Sequence, residues 1–400
     1  MTKRPGEPTS PAIEPPLRVC LVCFSGYPDQ GATYFFEMAR SLAALGHSVS
    51  AIAVQREGEA ADAVEDGVRV RRLPLHLSMR WASPARWLSK IRFLREVSAL
   101  IRREQFDIAH VYCTIGASLV PLAARGSTRW VLEHQTGAVS STLPAMRWLE
   151  DRVRAAQGRT FDINLTVTEV LGRRLFGRRA FEPVPAGVNP RSFRPGLPRD
   201  LRSELGIPDD AIVFVHAGVL EAERATDVPV RAFARAFNRD DRLWLLMPGK
   251  GSQLEALRTL AAKLGVAHRV WLPGYVQYPA IPRVFGAADA GLSYLPAVKY
   301  YEGQPPMKVF EYLGSGLPVI ASDVSSHRQI VQHRHNGLLS APDPDSFAEA
   351  LLTLASDADL RARLSAEARP SITDLTYDRI AVDRLVPIYR RILRAGGDPT

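Results

Sequence analysis

The chain has 400 residues, of which 46% are hydrophobic and 23% charged, with 28 Gly, 30 Pro and only 3 Cys. This composition is typical of a globular protein of about two domains and excludes a disordered, collagen-like or disulfide-scaffold chain. The formal net charge of +9 lies in residues 1–200, which hold 28 basic and 19 acidic residues, whereas residues 201–400 hold 23 of each. We therefore expect the first half of the chain to meet an anionic partner.

Residues 1–16 are polar and Pro-rich, without the apolar core of a signal peptide, and predict a disordered tail. The sequence has no uninterrupted apolar run of about 18 residues, the length that spans a membrane. Cys20, Cys23 and Cys113 lie in apolar runs without the spacing of a metal site, which indicates a reducing compartment. We therefore expect a cytoplasmic protein.

Residues 17–196 are typical of a doubly wound α/β domain. An apolar strand at 18–24 is followed by a polar loop, a helical pattern at 33–46 and a second strand at 48–54, which together predict a βαβ unit. Further strands of the same sheet are predicted at 106–113, 129–134 and 161–168.

The segment from Ala85 to Gln105 predicts an amphipathic helix with many arginines. One interpretation is an ordinary domain helix with a solvated basic face. The other is peripheral contact with an anionic membrane surface, at the inner face of the membrane. Nucleic acid is not expected as a partner, because the chain has no zinc finger, aromatic RNA-binding signature or basic zipper.

A Pro-, Gly- and Arg-rich linker, with a hinge at 183–198, precedes a second doubly wound domain at 197–374. Its strands are predicted at 211–218, 242–249, 269–274, 290–295 and 318–322. Residues 375–395 predict a further helix. The fold class is therefore α/β, with two Rossmann-like domains that face a cleft at the carboxyl ends of both sheets.

The strongest chemical motif runs from Tyr300 to Asp323 and places Lys308 and Glu311 in the first turns of a helix. A helix N-terminus attracts anions, a lysine adds a point charge for a phosphate, and a carboxylate can accept hydrogen bonds from ribose hydroxyls. A diphosphate and a sugar are therefore natural ligands. The alternative for Glu311 is a partner of the helix dipole without a ligand.

With these motifs the sequence resembles the retaining glycosyltransferases of family four, which have the GT-B fold. Their glycine-containing loop after the first strand is matched by Gly26 and Gly31, and their GHxV segment by residues 46–49. Similar segments follow in the same order through the linker, at 270–276 and at 336–343. The resemblance covers nearly the whole chain. It implies that the helix at 375–395 is the family's closing helix, which crosses back to the first domain.

The resemblance implies a donor site in the second domain, with Gly218 in the loop that holds the donor diphosphate. Arg224 stands where the family has a Lys, but Val219 stands where it has an Arg, and Lys308 could replace the lost cation. The family's two Glu are separated by seven residues. Alignment on Glu311 therefore places Gly303 at the first position and leaves Glu302 only as a possible donor-sugar contact, or as a surface residue.

His134 ends a predicted strand, where the family often has a histidine near the reacting sugar, and we expect it in the cleft unless it is structural. His327, His333 and His335 cluster on a polar segment but lack a further ligand at suitable spacing. Because no Asp-x-Asp element occurs at the donor diphosphate, we expect no metal site and no cofactor beyond the co-substrate.

The resemblance thus implies a metal-independent retaining glycosyltransferase that moves a sugar from a nucleotide-diphosphate sugar to a hydroxyl acceptor, with His134, Arg224 and Lys308 as catalytic residues. Two alternatives stay open. One is a catalytically weak nucleotide-sugar-binding protein, suggested by Val219 and the displaced Glu302. The other is a nucleotide-sugar epimerase of the same fold.

Overall fold

The computed structural model describes residues 15–27, 33–75, 84–124, 126–138 and 143–395. The expected tail, residues 1–16, therefore lies almost wholly outside the described residues, as does Gly31.

The first half forms a mostly parallel sheet with helices on both faces. Its elements are β1 Arg18–Val22, α1 Thr33–Ala44, β2 Ser48–Val54, β3 Asp62–Glu65, β4 Val68–Leu73, α2 Pro84–Glu104, β5 Ile108–Tyr112, α3 Leu119–Ala123, β6 Arg129–His134, α4 Pro144–Gln157, β7 Ile163–Thr166, α5 Glu169–Phe176 and β8 Glu182–Pro183. Within the described residues the sheet has eight strands in the order β3-β4-β2-β1-β5-β6-β7-β8, and β3 is antiparallel to β4. Strands β1, β2 and β5 are nearly fully buried, which is why they read as continuous apolar runs.

The second half repeats this architecture. Its elements are α6 Asp200–Glu204, β9 Ile212–Val215, α7 Asp227–Phe237, β10 Leu243–Leu246, α8 Leu254–Lys263, β11 Val270–Trp271, α9 Ile281–Gly286, β12 Ala290–Ser293, α10 Met307–Gly314, β13 Val319–Ser322, α11 Ser325–Arg328, β14 Gly337–Ser340, α12 Pro344–Ser356, α13 Ala358–Ala368, α14 Tyr377–Ile380 and α15 Val386–Ala395. In the described part of the chain, β9 to β14 form one parallel sheet in the order β11-β10-β9-β12-β13-β14. The expectation of two Rossmann-like domains is confirmed.

The sequence analysis did not identify the β3–β4 hairpin, β8 or β14. Strand β4 alternates valine with arginine, so that Val68 and Val70 are buried while Arg69 is exposed. This alternation is typical of a strand near a sheet edge, with one face on the core and the other in solvent. Strands β8 and β14 have only two and four residues, which is too short for a clear pattern.

The chain ends on the first domain, as expected. Helices α14 and α15 flank a π-helical turn at 381–385, and together they bury an apolar row against the first sheet. Its members are Tyr377, Ile380, Ala381, Leu385, Ile388 and Tyr389. The linker passes beside this segment, where Val188 N–H donates to Leu375 O (3.0 Å) and Tyr377 N–H donates to Val188 O (3.0 Å).

Aromatic side chains join the two domains beneath the cleft. The ring of Tyr278 lies 5.5 Å from that of Phe36 in the first domain and 5.8 Å from that of Phe193 in the linker. Asn189 Nδ2 donates to Oε2 of Glu37, a buried carboxyl of α1 (2.5 Å). These contacts hold the carboxyl ends of the two sheets opposite one another.

The close contact between the linker and the C-terminal segment requires a glycine. A Cβ at Gly187 would lie 2.5 Å from the backbone O of Leu375, whereas a Cβ at Gly126 would meet no atom within 4 Å. We expect Gly187→Ala to lower the free energy of unfolding by about 1–3 kcal/mol, because the backbone must shift to relieve the overlap. Urea unfolding measures this, with Gly126→Ala as the matched control, and equal stability of the two variants would contradict the prediction.

Candidate donor and acceptor cleft

The cleft between the domains holds a cavity of about 430 Å³. The carboxyl ends of β5, β6, β9 and β12 all lead into it, as is typical of open α/β sheets. The second domain contributes charged side chains to its wall, and these are Arg224, Lys250, Lys308 and Glu311. The cleft therefore carries its charges mainly on one side.

Helix α10 places Lys308 and Glu311 three residues apart in its first two turns, so both side chains face the cleft. The preceding Pro305 and Pro306 line the cleft as well, and Pro306, with φ −68°, is pre-organised for the start of a helix. This arrangement confirms the helix expected from the sequence and brings its two charged residues together.

Lys308 lies against the loop that follows β9. Its Nζ is 3.3 Å from Nε2 of the buried His216, and a Cβ at Gly218 (φ +130°) would lie 3.4 Å from that same Nζ. Burial lowers the pKa of Lys308 to about 7; the charge of Arg224 acts in the same direction, and that of Glu311 opposes it. An anion bound here would restore the full positive charge of the lysine.

Arg224 ends a short 3-10 turn, Ala222–Arg224, at the mouth of the cleft. Its guanidinium carbon lies 5.5 Å from the centroid of the Tyr301 ring, and the Tyr301 hydroxyl donates to the Glu223 carbonyl (3.2 Å). Tyr301 therefore contacts both the Arg224 side chain and the backbone of the turn that carries it. Val219 also lines the cleft, so the position where the family has an arginine contributes no charge.

Glu311 is a buried carboxyl at the floor of the cleft. The Tyr278 hydroxyl donates to its Oε1 (3.0 Å). Burial raises the pKa of Glu311 to about 7, and the charge of Glu37 adds to this effect, whereas Tyr278 and Lys308 oppose it. A buried carboxyl with one free oxygen on a cleft is well suited to paired hydroxyls.

The sequence analysis missed Lys250, which lines the same wall with its Nζ 5.0 Å from the centroid of the Tyr275 ring. Lys250 lies in a Pro-Gly-Lys-Gly segment directly after β10, and this strand end was the available signal. Gln304 was also missed. Its side chain lines the cleft, and its Nε2 donates to Tyr300 O (2.6 Å).

The structure does not place His134 in the cleft. The residue still pairs with Thr166 inside the sheet, its side chain is fully buried, and its ring packs edge-on against Phe176 at 5.1 Å. Burial and the charge of Arg154 lower its pKa to about 3, so the imidazole is neutral. His134 is therefore not among the cleft-lining residues, and the structure lends no support to its expected catalytic role.

Glu302 also lies outside the cleft lining, with an exposed side chain. The next residue, Gly303, has φ +74° and accepts a hydrogen bond from Thr168 Oγ1 through its carbonyl (2.6 Å). A Cβ at Gly303 would lie 2.9 Å from Val170 Cβ. The loop therefore packs against the first domain, and Glu302 lies at the surface, in agreement with the second of its two interpretations.

Gly26 is buried next to Arg56, whose Nη2 would lie 2.0 Å from an added Cβ, and it is not among the cleft-lining residues. The expected phosphate-loop contact of Gly26 is therefore absent from the described cleft. His327 is buried, with its Nε2 2.8 Å from Ser293 Oγ, and does not join His333 and His335. Among the described residues, no group of three or more His, Cys, Asp or Glu could hold a metal ion.

The raised pKa of Glu311 predicts a pH-dependent stability. A carboxyl that binds its proton more tightly in the folded state stabilises the fold below its ordinary pKa of 4.5, and this contribution is lost as pH rises through about 7. When the pH is raised from 5 to 8, the free energy of unfolding of Glu311→Gln should therefore increase by on the order of 1–3 kcal/mol relative to that of the unsubstituted protein. Urea unfolding at both pH values measures it.

The matched control is Glu255→Gln, which removes an exposed carboxyl of α8. The control should follow the unsubstituted protein at both pH values. A Glu311→Gln variant with the same pH dependence as the unsubstituted protein would show that Glu311 is ionised throughout this range.

Comparison with known proteins agrees with this geometry. The sequence model described as "Glycosyl transferases group 1" matches residues 199–370, and the one described as "Glycosyl transferase 4-like domain" matches residues 31–191. Among solved structures, the sucrose-phosphate synthase of Thermosynechococcus elongatus superimposes with a TM-score of 0.77 at 18% identity, covering 94% of this chain and 99% of that one. HepE of Anabaena, solved with UDP and glucose, superimposes with a TM-score of 0.74 at 15% identity, covering 94% and 100%.

Several relatives are named D-inositol 3-phosphate glycosyltransferase. That of Stackebrandtia nassauensis is 35% identical over 50% of this chain, and the match spans only 47% of the relative, about half its length. That of a Nocardioides species is 27% identical over 95% of this chain and 91% of the relative. With both halves matched by models of one enzyme class and a cleft of the corresponding architecture, the chain belongs to the group 1 glycosyltransferases of the GT-B fold.

Proposed function

We propose that this glycosyltransferase binds a nucleotide-diphosphate sugar on the wall of its second domain and transfers the sugar, with retention of configuration and without a metal ion, to a hydroxyl of an acceptor held by the first domain. The observation that carries the proposal is the group of cations, Arg224, Lys250 and Lys308, on one wall of the cleft. Their natural counterpart is a diphosphate.

The cations would act on the leaving group. As the bond from the sugar to the diphosphate breaks, negative charge develops on the departing phosphate oxygens, and pre-positioned cations stabilise it. Lys308 at the start of α10 and Arg224 on Tyr301 are held in place before the donor arrives. These side chains would neutralise the charge of the departing phosphate, so that a divalent ion would not be needed.

Glu311 would accept hydrogen bonds from the ribose hydroxyls of the donor. Tyr278 occupies its Oε1, which leaves Oε2 for the ligand. Because Lys308 lies one turn away on the same face of α10, ribose and diphosphate would bind side by side.

Retention is supported by the chemistry of the opposite wall. An inverting transferase requires a general base beside the acceptor hydroxyl. Among the described residues that line the cleft, the first domain contributes no carboxylate and no histidine, since His134 is buried beneath the surface. We propose that the departing diphosphate itself acts as the base, because it lies on the face of the sugar that it has just left.

The donor site is tested by binding of UDP, GDP, ADP and dTDP, first in a thermal-shift screen and then by calorimetry. We expect Arg224→Gln and Lys308→Met each to raise the Kd of the preferred diphosphate about 10-fold or more, because a charge-assisted hydrogen bond contributes roughly 1.5–3 kcal/mol. Matched controls are Arg231→Gln and Lys263→Met, exposed residues of α7 and α8. Unchanged affinity in the double variant would overturn the proposed donor site.

The same preparation tests the rest of the reaction. Release of the nucleoside diphosphate from the nucleotide sugar should persist in excess chelator. NMR of the product should show the same anomeric configuration as in the donor. Loss of turnover in chelator that manganese restores would contradict a metal-independent reaction. Binding without transfer or hydrolysis would indicate a nucleotide-sugar-binding protein instead.

We further propose peripheral contact with an anionic membrane, through a different helix from the one expected. Helix α2 packs the apolar face formed by Phe93, Leu94, Val97 and Ile101 against the sheet and exposes its described arginines, as an ordinary domain helix does. No helix in the described part of the chain combines the length and apolarity that crossing a bilayer requires. Surface contact needs neither.

Helix α4 and the residue before it expose an apolar row, defined here as the α4 row: Leu143, Met146, Trp148, Leu149 and Val153. The guanidinium of Arg152 lies 4.8 Å from the Trp148 ring. The acidic side chains of the helix are paired elsewhere, Glu150 with Arg154 and Asp151 with Arg174, each at 2.7 Å. An apolar row with an arginine beside it suits the interface of an anionic bilayer.

Sedimentation with vesicles tests this contact. We expect binding to vesicles containing phosphatidylglycerol and little binding to pure phosphatidylcholine. Replacement of Trp148 and Leu149 by serine should weaken binding at least about 10-fold, because two exposed apolar side chains are lost. The control is Val64→Ser, an exposed apolar residue of β3. Equal binding of both variants would rule out the α4 row.

A further inference from the structure

The wall of the cleft contributed by the first domain differs in chemistry from the opposite wall. Its described members are neutral, and they are aromatic, hydroxyl, amide and aliphatic side chains: Thr33, Tyr34, Phe35, Tyr112, Gln135, Thr136 and Val167. We call this set the neutral wall. Among the described residues, every charged side chain that lines the cleft stands on the other side, as Arg224, Lys250, Lys308 and Glu311.

Gln135 on the neutral wall has a fixed orientation. Its Nε2 donates to Oε1 of Glu133, a fully buried carboxyl two residues earlier. The structure therefore turns the nitrogen end of the amide towards Glu133. The other end of the amide, Oε1, accepts no hydrogen bond from any described residue and is left for the cleft.

A buried chain of polar groups holds Glu133 in place. His110 Nε2 lies 2.8 Å from Glu133 Oε2, and His110 Nδ1 lies 2.6 Å from the hydroxyl of Tyr389 on α15. Glu133, His110 and Tyr389 are all essentially without solvent exposure. Because each group in this chain is confined by its neighbours, the amide of Gln135 cannot turn over without breaking a buried interaction.

The rest of the neutral wall is aromatic. The ring of Phe35 packs edge-on against that of Tyr112, with centroids 5.4 Å apart, and against the imidazole of His110 at the same distance. Such a surface packs against the C–H groups of a sugar or polyol ring, while a single oriented carbonyl accepts from one of its hydroxyls.

A phosphate group would be unfavourable at the same place. Gln135 presents an oxygen, and the carboxylate of Glu133 lies directly behind it. Two acceptors cannot share a hydrogen bond without a proton between them, and no described cation of the neutral wall compensates a phosphate charge.

We propose that the acceptor of this enzyme is a neutral carbohydrate or polyol, whose hydroxyl donates to Oε1 of Gln135. Glu133 is then a positioning residue, which fixes the polarity of the amide without touching the acceptor. This inference rests on the proposed function, since it assigns the acceptor half of the same cleft.

The test compares matched ligands that differ by a phosphate. The protein is saturated with the diphosphate, among UDP, GDP, ADP and dTDP, that it binds, and is titrated by NMR with myo-inositol against D-inositol 3-phosphate and with methyl glucoside against glucose 6-phosphate. We expect the neutral member of a pair to bind at least about 10-fold more tightly. Tighter binding of the phosphorylated member, or no binding of any of the four, would overturn the proposal.

Variants assign the preference to Gln135. Gln135→Leu should weaken binding of the neutral ligand about 10-fold and leave the Kd of the diphosphate unchanged, and Gln135→Lys should shift the preference towards the phosphorylated member. Glu133→Gln should reduce the selectivity between the pair, because the amide of Gln135 can then turn. Gln329→Leu, at an exposed position of the second domain, is the control.

The variants also separate the two proposals. If Gln135→Leu and Gln135→Lys keep the selectivity of the unsubstituted protein, the role of Gln135 is wrong while the donor site stands. If no diphosphate binds, the proposed function itself fails. Should Glu133→Gln not fold, the two Gln135 variants still decide the assignment, since Gln135 is only half-buried.

Discussion

The separation of charge across the cleft is the constraint on which the rest of the site depends. Lys308 and Arg224 are held close together on one wall, and Glu311 is buried between them and the first domain. In the absence of an anion, burial works against the charge of Lys308 and of Glu311 alike, and both pKa values move towards 7. In the proposed donor complex, a diphosphate with its attached sugar would offset this effect of burial, because it would bring a negative partner to the cations and hydroxyl donors to the carboxyl.

Such a site functions only if the two sheets stay opposite one another. The C-terminal helices and the linker serve this purpose, since they bury Tyr377 and Tyr389 in the first domain and Phe193 in the second. Tyr278 links this domain contact to the site, because it packs between Phe36 and Phe193 and donates a hydrogen bond to Glu311. Tyr278 thus contacts both Glu311, the proposed partner of the ribose, and the first domain.

Two departures from the family pattern change the detail of the cleft without changing its plan. Val219 removes one cation, and Lys308 and Lys250 bring cations to the same wall from α10 and from the end of β10. Gly303 removes a carboxyl, and its backbone instead receives the hydroxyl of Thr168 from the first domain. Gln304, the next residue, lines the cleft with an amide.

The sequence by itself determined the doubly wound plan of the two domains and the helix that carries Lys308 and Glu311, because these follow from local periodicity. Arg224 was identified from the family resemblance. It could not decide whether His134 and Glu302 line the cleft. The position of His134 depends on its pairing within the sheet, and that of Glu302 depends on a loop that packs against the first domain. Lys250 and Gln135 belong to no motif and became visible only when distant strand ends met. The physical reason is that the periodicity of apolar residues predicts a helix or strand from neighbouring residues alone. The burial of a side chain depends on every segment that packs over it.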